Sequence, residues 1–156
     1  MDIDFILDRR LAIGGGIWTA EAMAELARRG FTHIVNLQVE FDERALAAAA
    51  GLEALWNPTD DDFRPKPAEF FERAAQFALA ALEGETAQLY VHCAAGVHRA
   101  PLAAAAILIG LGYDLDDAIR LIARRRLLAE FPEVYVDSLR YWAATRDLDT
   151  EPGAAG

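Results

Sequence analysis

The residues best placed to do chemistry lie in one run, His92-Cys93-Ala94-Ala95-Gly96-Val97-His98-Arg99-Ala100-Pro101. Leu89-Tyr90-Val91 before it reads as a short buried strand, and Pro101 suits the first turn of a helix. A strand therefore delivers Cys93 into a short loop that feeds a helix N-terminus. Backbone N–H groups of such a loop can converge on an anion, and the helix dipole favours negative charge at the same point. The same field favours a thiolate, the nucleophilic form of cysteine. Arg99 adds a planar fork that matches two phosphate oxygens, and Gly96 permits the tight turn between them. Cys93 is the candidate nucleophile, and Ala94, Ala95, Gly96, Val97, His98 and Arg99 would surround the bound anion.

Spacing alone is weak support. Arg fills 14 of 156 positions, so an Arg six places after any cysteine arises by chance about 9% of the time. A lone cysteine at a strand end is more often inert packing. The context raises the odds: His precedes the Cys, Gly sits inside the loop, a strand leads in and a helix begins at the Arg.

The rest of the chain must position this segment. At 156 residues, 54% hydrophobic and 26% charged, it has the size and composition of one globular domain. Residues 1–146 are expected to form it, with 147–156 as a flexible C-terminal tail. Phe5-Ile6-Leu7 and Leu11-Ala12-Ile13 read as strands closed by Gly14-Gly15-Gly16. Thr19 reads as the N-cap of a helix that Gly30 stops. His33 to Leu37 is a buried strand, Asp42 to Ala50 a helix stopped by Gly51, and Leu52 to Trp56 the next strand. Asn57 to Pro67 breaks every period and is expected to be a charged loop. Phe70, Phe71, Ala74, Phe77 and Leu82 then stripe one helix. Asp114 and Asp117 suggest a capping box on another helix, which ends in Arg124-Arg125-Arg126, a solvated run by default. A last helix spans about Glu133 to Thr145. The alternation implies an α/β fold, a central mostly parallel sheet flanked by helices.

Net charge is −10, which argues against a nucleic-acid or anionic-membrane surface. With one cysteine no internal disulfide can form, and scattered His residues suggest no metal site. There is no signal-peptide pattern, no prenylation box, and Pro101 to Leu111 is too short to span a bilayer. A cytoplasmic monomer without a membrane anchor and without a cofactor is expected.

The loop and its strand resemble the dual-specificity branch of the protein tyrosine phosphatase superfamily, and its tyrosine-phosphatase-like fold is implied over most of the chain. Leu11-Ala12-Ile13-Gly14, His33-Ile34-Val35-Asn36-Leu37 and the Phe70-Phe71-Glu72-Arg73 helix fall where that family has comparable elements. The resemblance implies metal-free hydrolysis of phosphate monoesters through a phosphocysteine intermediate. It also implies a general acid, an Asp on a loop about thirty residues before the cysteine. Asp60, Asp61 and Asp62 all qualify; Pro58-Thr59-Asp60-Asp61 is similar to the family's Pro-Thr-x-Asp segment and selects Asp61, although Asp62-Phe63 also resembles some members. His92 corresponds to the histidine that orients the loop, with a satisfied core histidine as the alternative; for the arginine run at 124–126, the alternative to solvation is that one member corresponds to the family's arginine after that helix. His33 is expected to be structural. Ala100 departs from the family's Ser or Thr, and Arg99-Ala100-Pro101 resembles the slow phosphatases of regenerating liver. The implied substrate is a phosphoprotein, phosphotyrosine especially and phosphoserine or phosphothreonine as well. A lipid, inositol or small-molecule phosphate, a low-turnover phosphate-binding module, and an oxyanion reductase or sulfurtransferase are the alternatives.

Overall fold

The computed structural model describes residues 1–150. Five strands form one sheet in the order β1-β2-β5-β3-β4: β1 (Ile3–Leu7), β2 (Leu11–Gly14), β3 (His33–Gln38), β4 (Glu53–Thr59) and β5 (Leu89–His92). The β1 strand pairs antiparallel with β2, and every other neighbour is parallel. Alternation along the strands divides the core into two layers. Leu11, Ile13, Val35, Leu37, Leu89 and Val91 face one layer. Ala12, Ile34 and Tyr90 face the other, where helices α1 (Ala20–Arg28) and α2 (Arg44–Ala50) supply Met23, Leu26 and Ala47. The first layer is covered by α3 (Ala68–Leu82), α4 (Arg99–Gly110), α5 (Leu115–Arg125) and α6 (Glu133–Thr150). This is the mostly parallel α/β sheet flanked by helices that the sequence predicts.

Helix α4 is buried on every side from Arg99 to Leu108, as an apolar helix must be. Its alanines, Ala103 to Ala106, add little bulk, so α3 packs closely against it. Local signals set the other bounds. The Thr19 hydroxyl accepts the Ala22 N–H at 3.1 Å and caps α1, and Gly51 ends α2 at φ +82°. No helix is long and apolar enough to cross a membrane among the described residues.

Three expectations need correction. The β4 strand runs on through Asn57, Pro58 and Thr59, placed in the loop from sequence. It is an edge strand, and its pairing with β3 is irregular between Asn36 and Gln38, so Pro58 costs no central ladder bond. Asp114 occupies the N-cap of α5, but its side chain makes no capping bond. Helix α6 continues past Thr145 to Thr150, and the rest of the expected tail, 151–156, lies outside the described residues.

Candidate active site

All parallel strands point their carboxyl ends the same way, and the chemistry-bearing loops leave from those ends. In an open α/β sheet a ligand binds at that edge. The loop after β5 carries Cys93, that after β3 carries Glu40 and Glu43, that after β4 carries Asp61, and that after β2 touches Ala94 through Gly16 N–H at 3.0 Å.

Cys93 is buried, and its Sγ accepts the Gly96 N–H at 3.2 Å. Gly96 makes the turn at φ +70°, and a Cβ there would stand 2.5 Å from the Gly14 carbonyl oxygen and 2.6 Å from Arg126 Nη2. Conformation and space both require glycine. The loop is also held from behind. The Nε of Arg126 donates to the Gly96 carbonyl at 2.8 Å, and its Nη2 reaches the Ala95 carbonyl at 3.3 Å. Asp2 and Asp4 of the first strand region pair with the same guanidinium at 2.8 and 3.0 Å. The Asp2 carboxyl is held below the usual range, first by its hydrogen bond from Arg126. Arg126 is therefore fully buried, not solvated, whereas Arg124 and Arg125 are exposed.

His92 lies under the loop. Its Nε2 meets Glu43 Oε1 at 2.6 Å, with both side chains fully buried, and its Nδ1 lies 3.3 Å from the Cys93 carbonyl oxygen. The sequence singles out His92 but not Glu43. His33 is remote, bonded to Thr32 and Glu53.

Arg99 is gripped on one edge. Its Nη1 donates to Glu40 Oε1 at 2.7 Å and to the Thr59 carbonyl at 2.9 Å, and its Nη2 donates to Glu40 Oε2 at 2.9 Å. That pair holds the Glu40 carboxyl down at about 2. Nε–H and the second Nη2–H are left, neighbours on the other edge of the planar group. Nε is buried and has no partner among the described residues. Glu40 thus orients the fork and leaves a two-oxygen edge free.

Of the three aspartates, Asp61 alone meets the Cys93–Arg99 loop through its side chain. Its Oδ2 lies 2.9 Å from His98 Nδ1, and its Oδ1 accepts the Tyr135 hydroxyl at 2.8 Å. Asp62 turns to Lys66 at 2.8 Å, and that hydrogen bond lowers its pKa. Asp60 offers its carbonyl to the same Lys66 at 2.5 Å. His98 Nε2 reaches Glu130 Oε2 at 3.0 Å. Burial opposes a proton on the His98 ring, but the hydrogen bonds it donates to Asp61 and Glu130 prevail and raise its pKa. Tyr135 is pushed up to about 12 by burial, with Asp61 adding to it. Sequence reasoning missed Glu40, Glu130 and Tyr135; none stands in a local pattern that marks it.

Three solved structures share the whole architecture. PTPMT1 in complex with PI(5)P has a TM-score of 0.82 at 19% identity, covering 92% of this chain and 96% of that one. Human DUSP28 scores 0.79 at 22%, covering 94% and 99%. Tk-PTP in the active form scores 0.78 at 21%, covering 92% and 97%. Identity this low shows a common fold. No curated protein matches the chain. Residues 16–143 match the dual specificity phosphatase catalytic domain, so the chain belongs to that family of cysteine-dependent phosphatases, and Cys93 is its one cysteine.

Proposed function

We propose that this phosphatase hydrolyses phosphate monoesters of proteins, phosphotyrosine foremost, through a phosphocysteine intermediate, as a monomer in a reducing cytoplasm. Cys93 Sγ attacks phosphorus while the free edge of Arg99 and the loop amides hold the non-bridging oxygens. Asp61 protonates the departing oxygen, then takes a proton from the water that attacks phosphocysteine, and the thiolate leaves. Positioning and electrostatics supply most of the rate in such a transfer.

The observation that carries this reading is the unpartnered Nε of buried Arg99. A buried donor left unmet costs about 1–3 kcal/mol, and a phosphate oxygen on that edge would satisfy it. The position of Asp61 supports it: the carboxylate meets His98 of the Cys93–Arg99 loop at 2.9 Å.

For the substrate, the absence of basic side chains at Ala94, Ala95 and Val97 favours a singly phosphorylated group. The carboxylates of Glu40, Asp61 and Glu130 around the loop act in the same direction. Phe63 is 55% exposed with its ring 5.2 Å from that of His98, and suits an aryl ester. PTPMT1 is a protein of this fold solved in complex with PI(5)P.

The test compares kcat/KM for a phosphotyrosine peptide, a phosphoserine peptide and PI(5)P in vesicles. The phosphotyrosine peptide should lead PI(5)P by tenfold or more, and the opposite order would overturn the substrate assignment. Arg99→Lys should lower kcat by about 10²–10³, since an ammonium cannot offer two parallel donors.

A further inference from the structure

His98 stands where the Asp61 loop meets the phosphate loop, and both ring nitrogens are engaged. Asp61 lies at Nδ1, 2.9 Å away, and Glu130 at Nε2, 3.0 Å away. Both partners are acceptors. A neutral imidazole has one N–H and can serve only one of them, whereas an imidazolium serves both.

We propose that His98 is a positioning residue for the leaving-group acid: His98 and Asp61 share one proton, and Glu130 and Tyr135 hold the pair closed over the cradle. The proposal rests on the assignment of Asp61 made above.

The groups facing the ring support it from each side. Asp61 approaches from the loop after β4 and Glu130 from the connection between α5 and α6. From α6, Tyr135 donates to Asp61 at 2.8 Å and accepts the Phe63 N–H at 3.0 Å. Within the phosphate loop the neighbours are Cys93 and Arg99, and Arg99 is countered by Glu40. Lys66, the nearest cation of the Asp loop, is committed to Asp62 and to the Asp60 carbonyl. Two carboxylates thus bear on one imidazole, and the ring keeps its proton above the pH of an ordinary histidine.

Packing makes the arrangement one unit. The Phe63 ring sits edge-on to His98 at 5.2 Å and stacks on Tyr135 at 5.8 Å. Phe63 itself takes φ +57°, a left-handed conformation that a bulky residue adopts only where its surroundings hold it.

A solitary carboxyl gives up its proton near pH 4 and is a poor acid at neutrality. The pair keeps one proton because the ring retains it. In the first step that proton passes through Asp61 to the departing oxygen as the P–O bond breaks, leaving a carboxylate and a neutral imidazole. In the second step water forms the new P–O bond, the S–P bond breaks, and the water's proton returns to the pair. One proton leaves and one comes back in each turnover.

The test is the pH dependence of kcat/KM for phenyl phosphate, a poor leaving group, in wild type, His98→Gln and Asp61→Asn. The wild-type basic limb should fall above the ordinary histidine range. In His98→Gln it should move at least one unit toward acid, a loss of about tenfold on that side of the profile. The loss should be much smaller with p-nitrophenyl phosphate, whose leaving group needs little proton. An unmoved limb in His98→Gln, together with a limb abolished in Asp61→Asn, overturns the proposal alone. A limb that survives in Asp61→Asn overturns the acid assignment beneath it. Should His98→Gln fail to fold, the His98 ring is titrated by NMR in the Cys93→Ser protein. Adding Asp61→Asn should lower its midpoint, and an unmoved midpoint overturns the proposal.

Discussion

The back and the front of the phosphate loop are both held by opposite charges, but in opposite surroundings. Behind the loop, the His92, Glu43 and Arg126 side chains have no exposed surface, while Asp2 and Asp4, which pair with Arg126, are 49 and 40% exposed. In front, His98, Asp61 and Glu130 are 18, 32 and 70% exposed. Buried charges are costly to bring out of water and costlier to leave alone. The rear contacts are therefore set once, when the chain folds, and they fix where Cys93 Sγ stands. Exposed charges interact weakly and respond to pH and salt. The front contacts can make and break, and they govern when Asp61 is in place. On the proposed mechanism, one loop takes rigidity from one side and proton control from the other.

The largest effect should come from breaking the rear. Glu43→Ala leaves His92 buried without its hydrogen-bond partner, a loss of about 1–3 kcal/mol, or roughly 6 °C in melting temperature. Glu130→Gln, made in front for comparison, should change stability by less than about 0.5 kcal/mol. Thermal unfolding of both variants at neutral pH checks this. Equal losses would erase the distinction between the two sides.

A smaller, kinetic effect should follow at the floor of the cradle. Ala100 is fully buried in the first turn of α4, just after Arg99, and brings no hydroxyl to the thiolate. Thiolate departure should then limit turnover, so that phosphoenzyme builds up and release is slow. Ala100→Ser should raise steady turnover severalfold, shrink the burst and leave the first step nearly unchanged. Rapid mixing with p-nitrophenyl phosphate separates the phases. Absence of a burst in wild type, with no gain in the serine variant, would sharpen the contrast by removing Ala100 from it.

How far the sequence reaches follows from the range of each interaction. Strand and helix positions were legible because their causes are local. A short apolar run closed by glycines marks Leu11 to Ile13, a hydroxyl caps at Thr19, and glycines stop helices at Gly30 and Gly51. The edge strand hid its end because Pro58 looks like a breaker until its place in the sheet is known. The loop from Cys93 to Arg99 was legible as a unit since nucleophile, turn and fork are contiguous. Its supports were not. Glu43 lies 49 residues from His92, Glu40 lies 59 from Arg99, and Asp2 lies 124 from Arg126. Such partners meet only through the crossing of strands, and no local periodicity announces them. Arg126 could not be told from Arg124 and Arg125 for that reason, since the three arginines look alike in sequence. Asp61 was separable from Asp60 and Asp62 by resemblance, and its contact with His98 sets it apart in space.

The account's central claim is that Cys93 carries the phosphate in mid-reaction. The most direct measurement mixes enzyme with a radiolabelled aryl phosphate, quenches in acid within the burst and maps the label by peptide. The account predicts label on the peptide containing Cys93, close to one per active enzyme, and none in Cys93→Ser, which should also lose hydrolysis while remaining folded. Hydrolysis that persists in Cys93→Ser, or label that maps to another residue, would contradict it.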